Sequence, residues 1–407
     1  MSIAGNIFEN LELGPNAAIL DSCGITSAGS NLTIVASSPA QISRFAANET
    51  DSILQCLENS LNADVPCVFT LSYDAGVGIN GLTNNSHHKT EPGLYLASLP
   101  SVQIIDRESQ NVEIPAKRNT EKSVTANFSR DEYLAAIEVV KEHIRDGTTY
   151  QTNLTQQISV SIGDDHSAID SFERLRDRHP APFLAYIDRG DSTVISASPE
   201  LFFRIEGDRI VTSPIKGTRP RGVNANDDER LRNELAASQK DRAENTMIVD
   251  LLRNDLGRVC EFGSVNVDEL HAIREFPSLF HLESTISGKL RNDASIADIF
   301  KALFPCGSIT GAPKISTMRI INELEPTPRG LSMGCIGLYL PPGLVSNERI
   351  IETSVAIRTM VIRDNVATFN VGGGIVIDSD PAAEYAETLT KATALLDSLG
   401  TDTSQLF

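Results

Sequence analysis

The chain has 407 residues, 41% hydrophobic and 22% charged, a globular balance that argues against disorder and allows one large folded unit or two ordinary ones. It carries 35 Lys and Arg against 54 Asp and Glu, a formal charge of −19, which disfavours a general nucleic-acid binder, whose affinity rests on phosphate neutralisation. An anionic substrate would need local cations or a metal against that field.

No run approaches the ~20 consecutive apolar residues that span a bilayer. Met1–Asn10 lacks a basic region followed by an apolar core, so no secretory signal is expected. The six cysteines are scattered without a close Cys-x-x-Cys pair. The expectation is therefore free thiols in a reducing cytoplasm and no structural zinc.

Residues 1–118 read as short strands and loops, with apolar runs at 31–36, 67–73 and 102–106. The polar stretch 109–127 is the best internal boundary, between a β-rich region 1–118 and a larger one 119–407, although both sides could pair into one sheet. A helix is predicted over 130–145, with Ser129 as N-cap, one stripe of Tyr133, Ile137, Val140 and Ile144, and a stop at Asp146-Gly147. Then come a strand at 149–161, a helix at 167–178, and strands at 182–187, 193–198, 201–206 and 209–212. Residues 227–252 read as one long helical stretch, with further helices at 296–303 and 313–323. Segments 355–362 and 366–371 form a hairpin around Asp364-Asn365, and a last helix covers 382–399. Hairpin-joined strands with helices in the longer connections predict an α+β fold with mostly antiparallel sheets.

Two acidic pairs, Asp241 with Glu244 and Glu384 with Glu387, have helical i, i+3 spacing that puts each pair on one face. Like charges repel there unless a shared cation relieves them, and oxygen-only ligands suit magnesium. The alternative is two solvated faces of an acidic protein. The segment 213–222 holds Lys216, Arg219 and Arg221 between two prolines and two glycines. It reads as a stiff turn whose backbone can approach an anion, or as a basic surface loop. Lys216, at a strand end between an apolar residue and a glycine, is a candidate nucleophile if buried.

Gly372, Gly373 and Gly374 follow a strand without the spacing of a dinucleotide turn, and permit close approach of a ligand or another strand. The segment 306–314 fails the pattern of a phosphate-binding loop. It could place Thr310 and backbone amides at a helix N-terminus, or simply cap a helix with Pro313 in its first turn. Glu200 offers one carboxyl for acid–base work if desolvated, and His281 is a core histidine or a pocket donor. The segment 334–337 lacks the strand-turn-helix context of a nucleophile elbow.

Together the segments GTTYQTNLT (147–155), SPE (198–200), PIKGTRPRG (214–222), AENTMIVDLLRNDLGR (243–258), HLESTISG (281–288), GSITGAPK (307–314), Arg358-Thr359-Met360, the glycine run and 384–391 resemble the chorismate-utilising enzymes, specifically component I of aminodeoxychorismate synthase. The likeness runs from about residue 127 to the last helix; the N-terminal third matches loosely, through Ser72-Tyr73-Asp74. It implies two mainly antiparallel β-sheets packed together with helices outside and the active site in the cleft between them. Glu244 and Glu387 would hold Mg2+, with Asp241 and Glu384 supporting them through water. Arg358, Lys391, Thr310, Gly217, Thr218 and the glycine run would contact the carboxylates of chorismate. Glu200 would be the acid at the C4 hydroxyl and His281 a ring-side residue.

The resemblance makes Lys216 the branch point, because anthranilate synthases carry alanine there. Gln151 stands where isochorismate and salicylate synthases carry a water-activating lysine. The chain shows no convincing glutaminase elbow, so the resemblance implies ammonia from a glutamine amidotransferase subunit and a place in folate biosynthesis. Leu338 stands where many relatives have tyrosine, with Tyr339 next. The rivals are anthranilate synthase component I and a catalytically silent chorismate-binding subunit.

Overall fold

A computed structural model describes residues 13–25, 32–83, 90–106, 122–164, 166–276 and 279–406. The expected boundary at 109–127 and the segment Met1–Asn10 lie largely or wholly outside the described residues. Two ten-stranded sheets dominate, each a path of nine strands with a tenth paired off it, Val124–Ala126 on Gln151–Ser161 in the first and Asn266–Glu275 on Leu279–Lys289 in the second. Every pairing between their strands is antiparallel among the described residues. This is the α+β architecture with helices outside.

The first sheet runs Gly311–Ala312, Gln151–Ser161, Val366–Ile375, Thr359–Arg363, Thr193–Ser198, Phe183–Asp188, Ala18–Asp21, Leu32–Ala36 and Val102–Asp106. The second runs Ile215–Pro220, Leu279–Lys289, Arg209–Ser213, Leu201–Glu206, Ile350–Val355, Cys335–Leu340, Cys67–Leu71, Leu94–Ser98 and Gln41–Phe45. Strands of the N-terminal third therefore extend both sheets, at the ends away from Gln151–Ser161 and Ile215–Pro220.

Helices Arg130–Arg145, Ala168–Arg178 and Pro381–Leu399 cover the outer face of the first sheet, and Thr50–Ser60, Gln239–Gly257 and Ile296–Leu303 that of the second. Between the sheets, the apolar layer of Ile34, Val68, Tyr95, Ile187, Ile336 and Leu338 belongs to the N-terminal strands and their neighbours. Towards the other end the buried side chains turn polar, with Gln151, Asn153, Thr155, Ser213 and His281. The sheets are thus cemented at one end and leave a polar cleft at the other.

The helix at Arg130–Arg145 has the predicted bounds, fixed by a capping box in which Ser129 and Glu132 satisfy each other's amides. Asp364 and Asn365 both take left-handed φ, the primed turn that matches strand twist. Three expectations need correction. The stretch 227–252 is two helices, Ala225–Ala237 and Gln239–Gly257, because extended Ser238 caps the second through the Asp241 amide. The basic turn at 213–222 is largely a strand, Ile215–Pro220, paired with Leu279–Lys289. Finally, 355–362 is not one strand: Ile350–Val355 belongs to the second sheet and Thr359–Arg363 to the first.

That last correction positions the site. The chain crosses between sheets at Ala356–Arg358, and again at Pro199–Glu200, between Thr193–Ser198 and Leu201–Glu206. The crossings are laced together: the Val355 amide donates to the Glu200 carbonyl (3.0 Å), the Ala197 amide to the Arg358 carbonyl (2.9 Å) and the Ser198 hydroxyl to the Val355 carbonyl (2.6 Å). The backbone segments that carry Glu200 and Arg358, distant in sequence, are thereby tied together where the chain passes between the sheets.

Candidate active site

Lys216 enters the cleft because its strand is irregular. The register with Leu279–Lys289 shifts between Lys216 and Thr218, and Gly217 takes φ +75° at the bulge. A Cβ at Gly217 would also lie 2.8 Å from the Asp241 carboxyl carbon, so glycine is required on both counts. The half-buried Lys216 ammonium makes no ion pair or hydrogen bond among the described residues, yet its charge acts on Glu200, Glu244 and Glu387. The charge of this one amine thus reaches carboxylates from three different parts of the chain.

Burial pushes the Glu200 carboxyl up to about 7, against the opposing pull of the Ser308 hydroxyl and of Lys216. Its Oε1 is buried without a partner. A carboxyl that keeps its proton near neutrality can donate it to a leaving hydroxyl. His281 is neutral: burial first, then the Arg358 charge, push it down to about 3. Thr218 Oγ1 lies 2.9 Å from His281 Nδ1, leaving Nε2 buried and unpartnered. Arg358, at φ +48° in the crossing, makes no ion pair or hydrogen bond through its guanidinium among the described residues, and burial lowers its own proton affinity. An unpaired, desolvated guanidinium is a site for an anion.

The predicted carboxylates fall into two settings. Lys240 lies 3.9 Å from Glu244 and 3.6 Å from Glu384, so one ammonium bridges carboxylates of two helices. Glu384 is buried and also accepts from Ser379 (2.7 Å); burial holds Glu244 above the usual carboxylate range. Glu387 pairs with Lys391 (2.8 Å), and Lys391 also donates to the Gly372 carbonyl (2.8 Å). Asp241 instead pairs with Arg219 at 3.3 Å, with its carboxyl against Gly217 at the bulge. Among the described residues no three His, Cys, Asp or Glu side chains already form a closed metal cluster. The donor set nevertheless fits magnesium: Glu244, Glu384 and Glu387 offer only oxygens, and the cation between the first two answers a demand for positive charge.

The glycine run is explained by close approach. A Cβ at Gly372 would meet the Leu154 carbonyl at 1.9 Å, and one at Gly374 the Gln151 amide nitrogen at 2.0 Å. One at Gly373 would point at Glu384 Oε2, 3.2 Å away. Gln151 is fully buried, with both amide atoms unpartnered. Thr310 is buried too, but its hydroxyl donates to the carbonyls of Cys306 (3.0 Å) and Gly307 (3.3 Å), within its own loop. Lys314 pairs with Asp255 at 2.7 Å in the core, and the Tyr339 hydroxyl donates to Ala63 rather than to the cleft.

Sequence reasoning did not single out Lys240 or Ser308. The i, i+4 relation of Lys240 to Glu244 was available; the place of Ser308 beside Glu200 depends on chain folding.

Residues 20–397 match the chorismate binding enzyme family. The chain belongs to the chorismate-binding enzymes. Relatives at 40% identity include anthranilate synthase component 1 1 of Haloarcula marismortui, over 71% of this chain and 58% of that protein, and aminodeoxychorismate synthase component 1 of Klebsiella aerogenes, over 77% and 68%. A second aminodeoxychorismate synthase component 1, from Bacillus subtilis, is also 40% identical, over 74% of this chain and 61% of that protein. The chain thus spans about half to two thirds of the length of these curated relatives. Anthranilate synthase component I of Streptococcus pneumoniae superposes with a TM-score of 0.76 at 25% identity, covering 94% of each chain. MenF, a menaquinone-specific isochorismate synthase from Escherichia coli, shares the fold at TM-score 0.73 and 17% identity, covering 98% of this chain and 92% of that one. Relatives of both amine-forming activities stand at equal identity, so the choice between them rests on individual residues.

Proposed function

We propose that this chorismate-binding enzyme is an aminodeoxychorismate synthase component I, forming 4-amino-4-deoxychorismate from chorismate and ammonia. The observation that carries the reading is Lys216 at the Gly217 bulge, an amine without a partner among the described residues whose charge reaches Glu200, Glu244 and Glu387. In the first step Lys216 Nζ bonds to ring C2 and the ring double bonds shift. The C4–O bond breaks, and the hydroxyl leaves as water with the proton of Glu200. In the second, ammonia bonds to C4, the double bonds shift back, and the C2–Nζ bond breaks to restore the amine. The new nitrogen therefore ends at C4.

Arg358 binds a substrate carboxylate, and neutral His281 stands beside the ring without adding charge. Glu244, Glu384 and Glu387 would hold magnesium, which when bound supplies positive charge against the substrate's ring carboxylate. Gln151 cannot act as the base that a lysine provides, which supports ammonia over water as the nucleophile. The ammonia would come from a glutamine amidotransferase subunit, with free ammonia serving the isolated chain. A reducing cytoplasm suits the six cysteines, all free thiols in the structure; no helix among the described residues is long and apolar enough to cross a membrane.

The test is product analysis with ammonia and chorismate. The wild type should release 4-amino-4-deoxychorismate, and Lys216→Ala should lose at least about 10³-fold in its formation, removal of a covalent nucleophile costing up to about 10⁶-fold. Release of anthranilate and pyruvate by the wild type, or undiminished turnover by Lys216→Ala, would refute the assignment.

A further inference from the structure

Asn245 follows Glu244 on the helix Gln239–Gly257 and is completely buried, yet nothing above gives it a role. Its side chain is a clamp between three elements. Asn245 Nδ2 donates to the Pro214 carbonyl (3.4 Å), two residues before Lys216. Its Oδ1 accepts from the Ser284 hydroxyl, three residues beyond His281. Ser284 Oγ in turn accepts the His271 amide (2.9 Å), which directs the hydroxyl proton to Asn245, and the Ser284 amide also donates to Pro214 (3.2 Å). The chain of donors runs one way, so the amide is oriented and every group in it is satisfied.

The helix side of this clamp carries Glu244 and its strand side carries Lys216, the last residue paired before the register shift at Gly217. We propose that Asn245 is a positioning residue that sets the Lys216 amine against Glu244 and the reacting ring. The proposal rests on the reading of Lys216 as the attacking amine. A shorter side chain would leave the Pro214 carbonyl and Ser284 hydroxyl to relax, and a displacement near 1 Å at a reacting atom costs up to about 10²-fold.

A double-mutant cycle tests it, with ammonia-dependent chorismate consumption measured in the wild type, Asn245→Ala, Lys216→Ala and the double variant, alongside unfolding midpoints. Asn245→Ala should lower kcat about 10-fold or more while the KM for chorismate stays within about 3-fold, and it should cost nothing further once Lys216 is absent. An equal fractional loss in both backgrounds, or a loss confined to KM, would overturn the proposal. Ser284→Ala, which keeps the Nδ2 bond to Pro214, should move kcat the same way by less and should not add to Asn245→Ala. Full additivity there overturns it independently, even if Asn245→Ala folds poorly. Undiminished turnover by Lys216→Ala alone would instead refute the Lys216 reading, separately from either cycle.

Discussion

Two guanidinium groups in this fold sit in opposite circumstances. Arg329 is buried and saturated: it donates to both carboxylate oxygens of Glu325 (2.8 and 2.7 Å) and to the carbonyls of Ile309 and Asn153, and stacks 4.5 Å over the Tyr73 ring. Arg358 is held as firmly by its backbone, in the laced crossing between sheets, yet its side chain has no partner among the described residues. The same is true of Lys216, while Lys314 is spent on Asp255. A half-buried cation without a counter-charge is costly because it is partly desolvated, and in a chain with a formal charge of −19 carboxylates abound that could have satisfied it. Its persistence at the cleft marks where a substrate must supply the negative charge.

The contrast is easiest to break at Arg329. Arg329→Leu strands the buried Glu325 carboxylate and should cost about 3–5 kcal/mol of stability, read from the denaturant midpoint. Arg358→Gln should leave that midpoint nearly unmoved and raise the KM for chorismate about 10- to 100-fold, matching one lost charged contact. If Arg358→Gln unfolds the protein and Arg329→Leu merely weakens substrate binding, the division between structural and functional cations is wrong.

Smaller effects sharpen it. Glu244→Gln should weaken the magnesium dependence of activity about 10-fold, whereas Asp241→Asn, on the Arg219 side, should change it by less than about 3-fold. Equal effects would put both carboxylates in the same role. With free ammonia held constant, kcat/KM for chorismate should fall as pH rises through about 7, where Glu200 loses its proton, and this limb should vanish in Glu200→Gln. His281, held at about 3, should add no limb between pH 5 and 8.

Much of this was legible from residues alone where local chemistry decides the outcome. The capping serine at 129 marked a helix start that the structure reproduces, since a cap is satisfied within four residues. The acidic pairs and the Lys216–Gly217 motif were visible as patterns. The sheet crossings were not, because an apolar run looks the same whether its strand stays in one sheet or moves to another, as at 355–362. The strand Asn266–Glu275 escaped notice because it is an exposed edge with little apolar alternation. Asp241 and Thr310 illustrate a further limit: both are placed near the cleft, but Arg219 and the 306–310 loop engage their polar atoms, and such competition follows from three-dimensional neighbours rather than spacing.

Mass spectrometry of intact and digested protein, quenched after mixing with chorismate in the absence of ammonia, probes the attacking amine most directly. The wild type should carry one chorismate less one water on the peptide containing Lys216, and ammonia should discharge it as 4-amino-4-deoxychorismate. An adduct elsewhere, or product formed by a protein whose Lys216 is never modified on the timescale of turnover, would contradict covalent catalysis by this lysine.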